Sequence, residues 1–187
     1  PFYFQDVLQA SEVKTGLLMT PWAAMTAVLA PIAGRLSDRY PAGILGGIGL
    51  AVLAAGFVWL ALLPANAGTT EILWRVAVCG AGFGLFQSPN NRAIVSSAPR
   101  ERSGGAGAIQ GTARLLGQSI GAALVALVFG LAPGSEQGAT LAILLAAGFA
   151  GAAALASLSR LAGFARPRRR DGGAAPADAA DLRSPAE

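Results

Sequence analysis

Apolar and small residues dominate five stretches of the chain, at 15–34, 42–63, 72–96, 105–131 and 139–161, and polar residues collect between them. Each stretch reaches the roughly 20 residues a helix needs to cross the hydrocarbon of a bilayer. The pattern therefore predicts an all-α integral membrane protein with about five complete spans. The connections are short: SDRYP, PANAGTT, SAPRERSG and APGSEQG. PFYFQDVLQ, at 1–9, reads as the outer end of a preceding helix, and residues 1–14 as that helix end plus an outer loop. The chain then reads as the C-terminal portion of a longer one. Residues 165–187, rich in Ala, Pro, Asp and Arg, have nothing to bury and read as a disordered tail.

The five stretches differ in kind. Those at 42–63 and 139–161 are apolar almost throughout, which suits helices facing lipid. Those at 72–96 and 105–131 carry Arg75, Gln87, Asn90, Asn91, Arg92, Gln110, Arg114 and Gln118. Polar groups are costly in a bilayer and face a bundle interior or a watery cavity. Gln110, Arg114 and Gln118 recur at every fourth residue and so share one helix face. Gly80, Gly84, Gln87 and Asn91 form a similar stripe on the preceding helix. Gly107/Gly111 and Gly117/Gly121 are small-residue pairs of the kind that let helices pack tightly. The stretch GLFQSPNNRA, Gly84 to Ala93, has two readings: a cytoplasmic turn, or a helix continuing through Pro89 as a cavity wall. Residues 72–87 alone would make a short span of about 24 Å, so the second reading is preferred.

Composition sharpens this picture. Hydrophobic residues make up 53% of the chain, charged residues 13%, and the mean hydropathy is +0.53. A soluble domain carries about 25% charged residues, so burial in a soluble core is excluded. The pI of about 10.2 does not imply nucleic acid, because the basic residues sit at the ends of apolar runs. Arg35 and Arg39, Arg100 and Arg102, and the tail arginines mark alternate connections, whereas PANAGTT and APGSEQG have no basic residue. Basic loops stay cytoplasmic; the expected location is the inner membrane with a cytoplasmic C-terminus. There is no histidine, and the single cysteine, Cys79, lies in an apolar run as a small filler. Zinc constellations, a disulfide framework and a Cys–His nucleophile are thereby excluded, no metal or cofactor is expected, and an enzyme is the remotest reading.

GRLSDRYPAG, Gly34 to Gly43, resembles the cytoplasmic-loop signature of the major facilitator superfamily, roughly Gly-x-Leu-x-Asp-Arg-x-Gly followed by basic residues. Gly34, Leu36, Asp38 and Arg39 match. Pro41 replaces the second glycine, and Ala42 and Gly43 stand where basic residues belong. Together with PFYFQDVLQAS, TGLLMTPW, GLFQSPNNRAI and ARLLGQSIGAAL, residues 1–164 resemble the last spans of the fourteen-span drug:proton antiporter branch. The resemblance implies a secondary transporter driven by the proton gradient, working by alternating access between two halves, with an N-terminal half of the same chain as partner. In that fold the third and sixth helices of a half lie outside the cavity, where the two bland stretches would fall. A facilitator for one particular metabolite is the alternative.

The candidate cavity residues are Gln87, Asn90, Asn91, Gln110, Arg114 and Gln118 as polar points, with Trp22, Met25, Phe83 and Phe86 as adaptable apolar surface. Arg114 would attract an anionic substrate group or pair with a carboxylate elsewhere. Gly34, Asp38 and Arg39 would form a cytoplasmic gating loop, with Asp38 either in a charge network or merely capping a helix begun at Pro41. Glu71 and Arg75, at i,i+4 spacing, would pair at the outer face. Neither stretch has a mid-span carboxylate, so the proton-carrying acid is expected in the N-terminal half.

Overall fold

The computed structural model describes residues 11–64, 67–99 and 102–164. The expected helix end at 1–9 and the tail at 165–187 lie outside the described residues. All regular structure within them is helical: α1 (Glu12–Leu36), α2 (Ala42–Ala61), α3 (Thr69–Ser96), α4 (Ser103–Leu131) and α5 (Ser135–Phe164). α1, α2, α4 and α5 are each long and apolar enough to cross a bilayer. α3 differs: its 28 residues rise about 42 Å, but Glu71, Arg75, Gln87, Asn90, Asn91 and Arg92 dilute its apolarity, so length and composition alone do not mark it as a span.

α3 is the helix that most needs covering, and it is the central one. It lies between α1 and α2, and α2 in turn lies between α3 and α5. The contact is close because α3 presents glycine on two sides. A Cβ at Gly80 would sit 2.5 Å from the carbonyl oxygen of Trp22 in α1, and one at Gly82 2.5 Å from the backbone nitrogen of Leu53 in α2. At this approach the Thr26 hydroxyl shares its one proton between the Trp22 carbonyl at 2.8 Å and the Gly80 carbonyl of the neighbouring helix at 3.1 Å. In lipid there is little hydrophobic drive between helices, so such backbone contact and interhelical bonding hold them together.

The helix ends follow from local chemistry. Ser11 caps α1 by accepting from the Lys14 backbone N–H. α1 runs on through Pro21 and Pro31, and α3 through Pro89, which is buried. GLFQSPNNRA is therefore helical rather than a turn. Pro41 stands one place outside α2, in an extended conformation, and α2 has no side-chain cap; Asp38 does not cap the helix.

Two expectations about packing change. α2 does not face lipid all round: Leu45, Leu50, Leu53 and several glycines are buried against α3 and α5, leaving Ile48, Val58 and Trp59 exposed. The Ser157 hydroxyl of α5 also donates to the Gly43 carbonyl of α2 at 3.1 Å. Among the described residues the glycine pairs of α4 are not packed: a side chain at Gly107, Gly111, Gly117 or Gly121 would meet nothing within 4 Å. α4 has no buried residue at all; it leans on α5 and on α3 with little contact. Cys79 is fully buried among Leu50, Leu53, Ala150 and Ala154, as a small filler should be.

Candidate functional site

The looseness of α4 creates the site. Between α3 and α4 lies a cleft of about 460 Å³ whose lining includes Gln87, Asn90 and Asn91 from α3 and Gln110, Arg114 and Gln118 from α4, with Phe83 and Phe86 at one end. The every-fourth-residue stripe on α4 thus faces the polar part of α3. Gln110 donates its amide N–H to the Asn91 side-chain oxygen and ties the two helices together. Gly80 and Gly84, expected on the same stripe as Gln87 and Asn91, turn instead toward Trp22 and Thr26 of α1.

A second cleft of about 730 Å³ adjoins the first and shares Phe83, Phe86 and Gly117 with it. Its other walls are apolar: Leu50, Leu53 and Phe57 of α2, Ile120 and Leu124 of α4, and Leu145 and Phe149 of α5. Both volumes are those of sites for drug-sized molecules. Sequence reasoning missed this lobe, because its residues look the same as the lipid-facing ones on either side.

Trp22 and Met25 line neither cleft. Trp22 packs among three helices, with its ring 6.1 Å from Phe57 and 5.6 Å from Phe83.

In the connection between α1 and α2, Asp38 forms an ion pair with Arg92 of α3 at 2.6 Å. Arg92 also donates to the Gly34 carbonyl at 3.3 Å and the Ser37 hydroxyl at 3.4 Å, and Ser37 donates to the Gly34 carbonyl at 2.6 Å. Gly34 itself faces the Ser88 hydroxyl of α3. The Arg39 side chain, expected in this network, has no hydrogen bond or ion pair among the described residues; Arg92 holds Asp38 instead. The signal for Arg92 was its position as the one charge in SPNNR, at the membrane level of Asp38. Both partners of the pair are more than half exposed, so it contributes no more than about 1 kcal/mol, and a change of conformation can break it. Charge reversal at either residue should weaken the junction between the α1–α2 connection and α3, and the double reversal Asp38→Arg with Arg92→Asp should restore it. A double-mutant cycle on thermal stability in detergent measures this; additive losses would show that the two residues act separately.

Near the other end of α3, Arg75 pairs with Glu71 one turn away and donates to the Trp59 carbonyl of α2 at 2.6 Å. Its guanidinium lies 5.8 Å and 6.0 Å from the rings of Trp59 and Trp74. The two tryptophans meet edge to face, at 4.3 Å and 86°, and are partly exposed, as interfacial aromatics are.

Long apolar helices packed around a cleft with one polar wall define a multi-pass membrane protein. The chain belongs to the Major Facilitator Superfamily, whose family model matches residues 1–122. It is 62% identical to the uncharacterized transporter YebQ of Escherichia coli (strain K12) over 128 residues, which cover 68% of this chain and 28% of that protein. It is 30% identical to the riboflavin transporter RibZ of Clostridioides difficile (strain 630) over 129 residues, 69% of this chain and 28% of the relative. The multidrug branch is represented by the multidrug efflux pump LfrA of Mycolicibacterium smegmatis, 30% identical over 127 residues, 68% of this chain and 25% of the relative. The chain thus spans little more than a quarter of the length of these bacterial proteins.

Proposed function

We propose that the protein exports drugs or other amphipathic small molecules by proton antiport, as a secondary transporter with alternating access, in the inner membrane and with its C-terminus in the cytoplasm. The observation that carries this reading is the joined pair of lobes, one polar and one apolar, walled on one side by the loosely held α4. A molecule with a polar end and a greasy body fits such a surface, and an element with few buried contacts is one that can move. The breakable Asp38–Arg92 pair supports a role in closing the cytoplasmic side as two halves rock about the site. Glu71 is engaged with Arg75, which supports a proton-carrying acid elsewhere in the complete transporter. The similarity to LfrA supports drug export; similarity to RibZ favours a second reading, transport of one particular metabolite.

Drug accumulation and resistance in cells lacking their own efflux pumps separate the two readings. Several unrelated amphiphiles should be expelled under the first, and a single compound under the second. The cleft itself is tested by cysteine labelling, for which the buried Cys79 leaves little background. Cysteines at Gln87, Gln110 and Arg114 should react with a membrane-impermeant maleimide and be protected by substrate, while one at Leu155, exposed on α5, should stay unreactive in lipid. If positions 87, 110 and 114 are sealed in every state, the transport reading loses its basis.

A further inference from the structure

The distribution of charge around the cleft narrows the class of substrate. The described carboxylates all lie at helix ends: Glu12 opens α1, Glu71 and Glu136 occupy the first turns of α3 and α5, and Asp38 is in the α1–α2 connection. Asp38 and Glu71 are held in ion pairs. Neither lobe of the cleft is lined by an acidic residue. The polar lobe has one formal charge, Arg114, which lies about 17 Å along α4 from Ser103. Arg114 is exposed, and its side chain has no ion pair or hydrogen bond among the described residues. Gln110 and Gln118 flank it one turn away on the same face and line the same lobe, so amide N–H donors stand beside the guanidinium.

We infer that the substrate is an amphiphilic anion: a carboxylate or sulfonate held at Arg114 and its flanking amides, joined to an aromatic body lying in the apolar lobe. This deepens the proposed function and rests on it. A guanidinium with no acid beside it among the described residues attracts anions and repels cations, and its planar fork suits a carboxylate. The rings of Phe57, Phe83, Phe86 and Phe149 line the apolar lobe and favour a flat aromatic body. Gly117, shared by both lobes, has open space where a side chain would stand, and its bareness leaves the two lobes joined.

The test uses three probes with one pyrene body: pyrenebutyrate, its neutral amide, and a pyrenebutyl trimethylammonium. The complete transporter, reconstituted in proteoliposomes, should move the carboxylate at least about tenfold better than the ammonium probe, the scale of one charge-assisted hydrogen bond. Arg114→Gln should abolish that preference, and Arg114→Lys should retain most of it. A preference for the ammonium probe, or an unchanged ratio in Arg114→Gln, overturns the inference; the second outcome is what an arginine paired with a carboxylate outside the described residues would give. Equal loss of all three probes in Arg114→Gln, with no recovery in Arg114→Lys, also overturns it, as a purely structural arginine would behave that way. Transport of the amide without charge preference sinks this inference alone, and transport of none of the three sinks the proposed function with it.

Discussion

Gly82→Val should leave almost no folded protein in the membrane. A Cβ at this position would come 2.5 Å from the Leu53 nitrogen, 2.8 Å from the Gly49 carbonyl oxygen and 2.9 Å from the Leu53 Cα. These are backbone atoms of α2, so no rotamer change relieves the clash; the two helices must separate. Overpacking a core costs about 1–3 kcal/mol when side chains can adjust, and here they cannot. Separation would also loosen the second side of α3, where Gly80 meets Trp22. Against a typical total stability of about 5–15 kcal/mol, the loss is a large part of the whole. The amount of protein in the membrane fraction and its melting temperature in detergent are the measurements. Gly111→Val is the matched control: it adds the same side chain where nothing lies within 4 Å, and it should be tolerated. Equal behaviour of the two variants would mean that the α2–α3 contact is not what holds α3 in place.

The second large effect is expected at Arg75, in the second turn of α3. Arg75→Ala should lower stability by about 2–4 kcal/mol, because a charged hydrogen bond and two cation–π interactions disappear together. The side chain is only 7% exposed, so little solvation is regained. It joins α2 to α3 through the Trp59 carbonyl and supports the Trp59–Trp74 pair. Glu71→Gln should cost less, within about 1 kcal/mol, because Glu71 is 37% exposed and Arg75 keeps its carbonyl and both rings. Arg75→Lys should fall between, since an ammonium cannot serve a carboxylate and a carbonyl with the same planar fork. Thermal unfolding of the three variants in detergent ranks them. Equal losses for Arg75→Ala and Glu71→Gln would show the ion pair, not the tryptophan cage, to be the important contact.

Both predictions concern joints between helices, and the joints are where sequence and structure part company. Gly80, Gly84, Gln87 and Asn91 share a stripe on a helical wheel, yet the glycines go to α1 and the amides to the cleft, because a stripe about one third of the helix wide touches two neighbours. Gly107, Gly111, Gly117 and Gly121 carry the spacing of tight packing and meet no other helix in the described chain. Trp22, aromatic and mid-span, could equally have faced a ligand; packing against Phe57 and Phe83 settles its place. Asp38 had a plausible local role as a cap, and instead reaches across to Arg92 on α3.

The order of residues along the chain was enough for what is local: helical stretches of bilayer length, the alternation of basic and neutral connections, the Glu71–Arg75 pair one turn apart, and the shared face of Gln110, Arg114 and Gln118. Each of these follows from the 3.6-residue period and from the cost of polar groups in lipid, which act within one helix. Which helix sits beside which came from the packed bundle: α3 clasped on two sides, α2 half buried, α4 left loose, and an apolar lobe joined to the polar one. Alanine, leucine and phenylalanine satisfy lipid, a neighbouring helix or a ligand equally well, so only the positions of the other helices distinguish these surroundings.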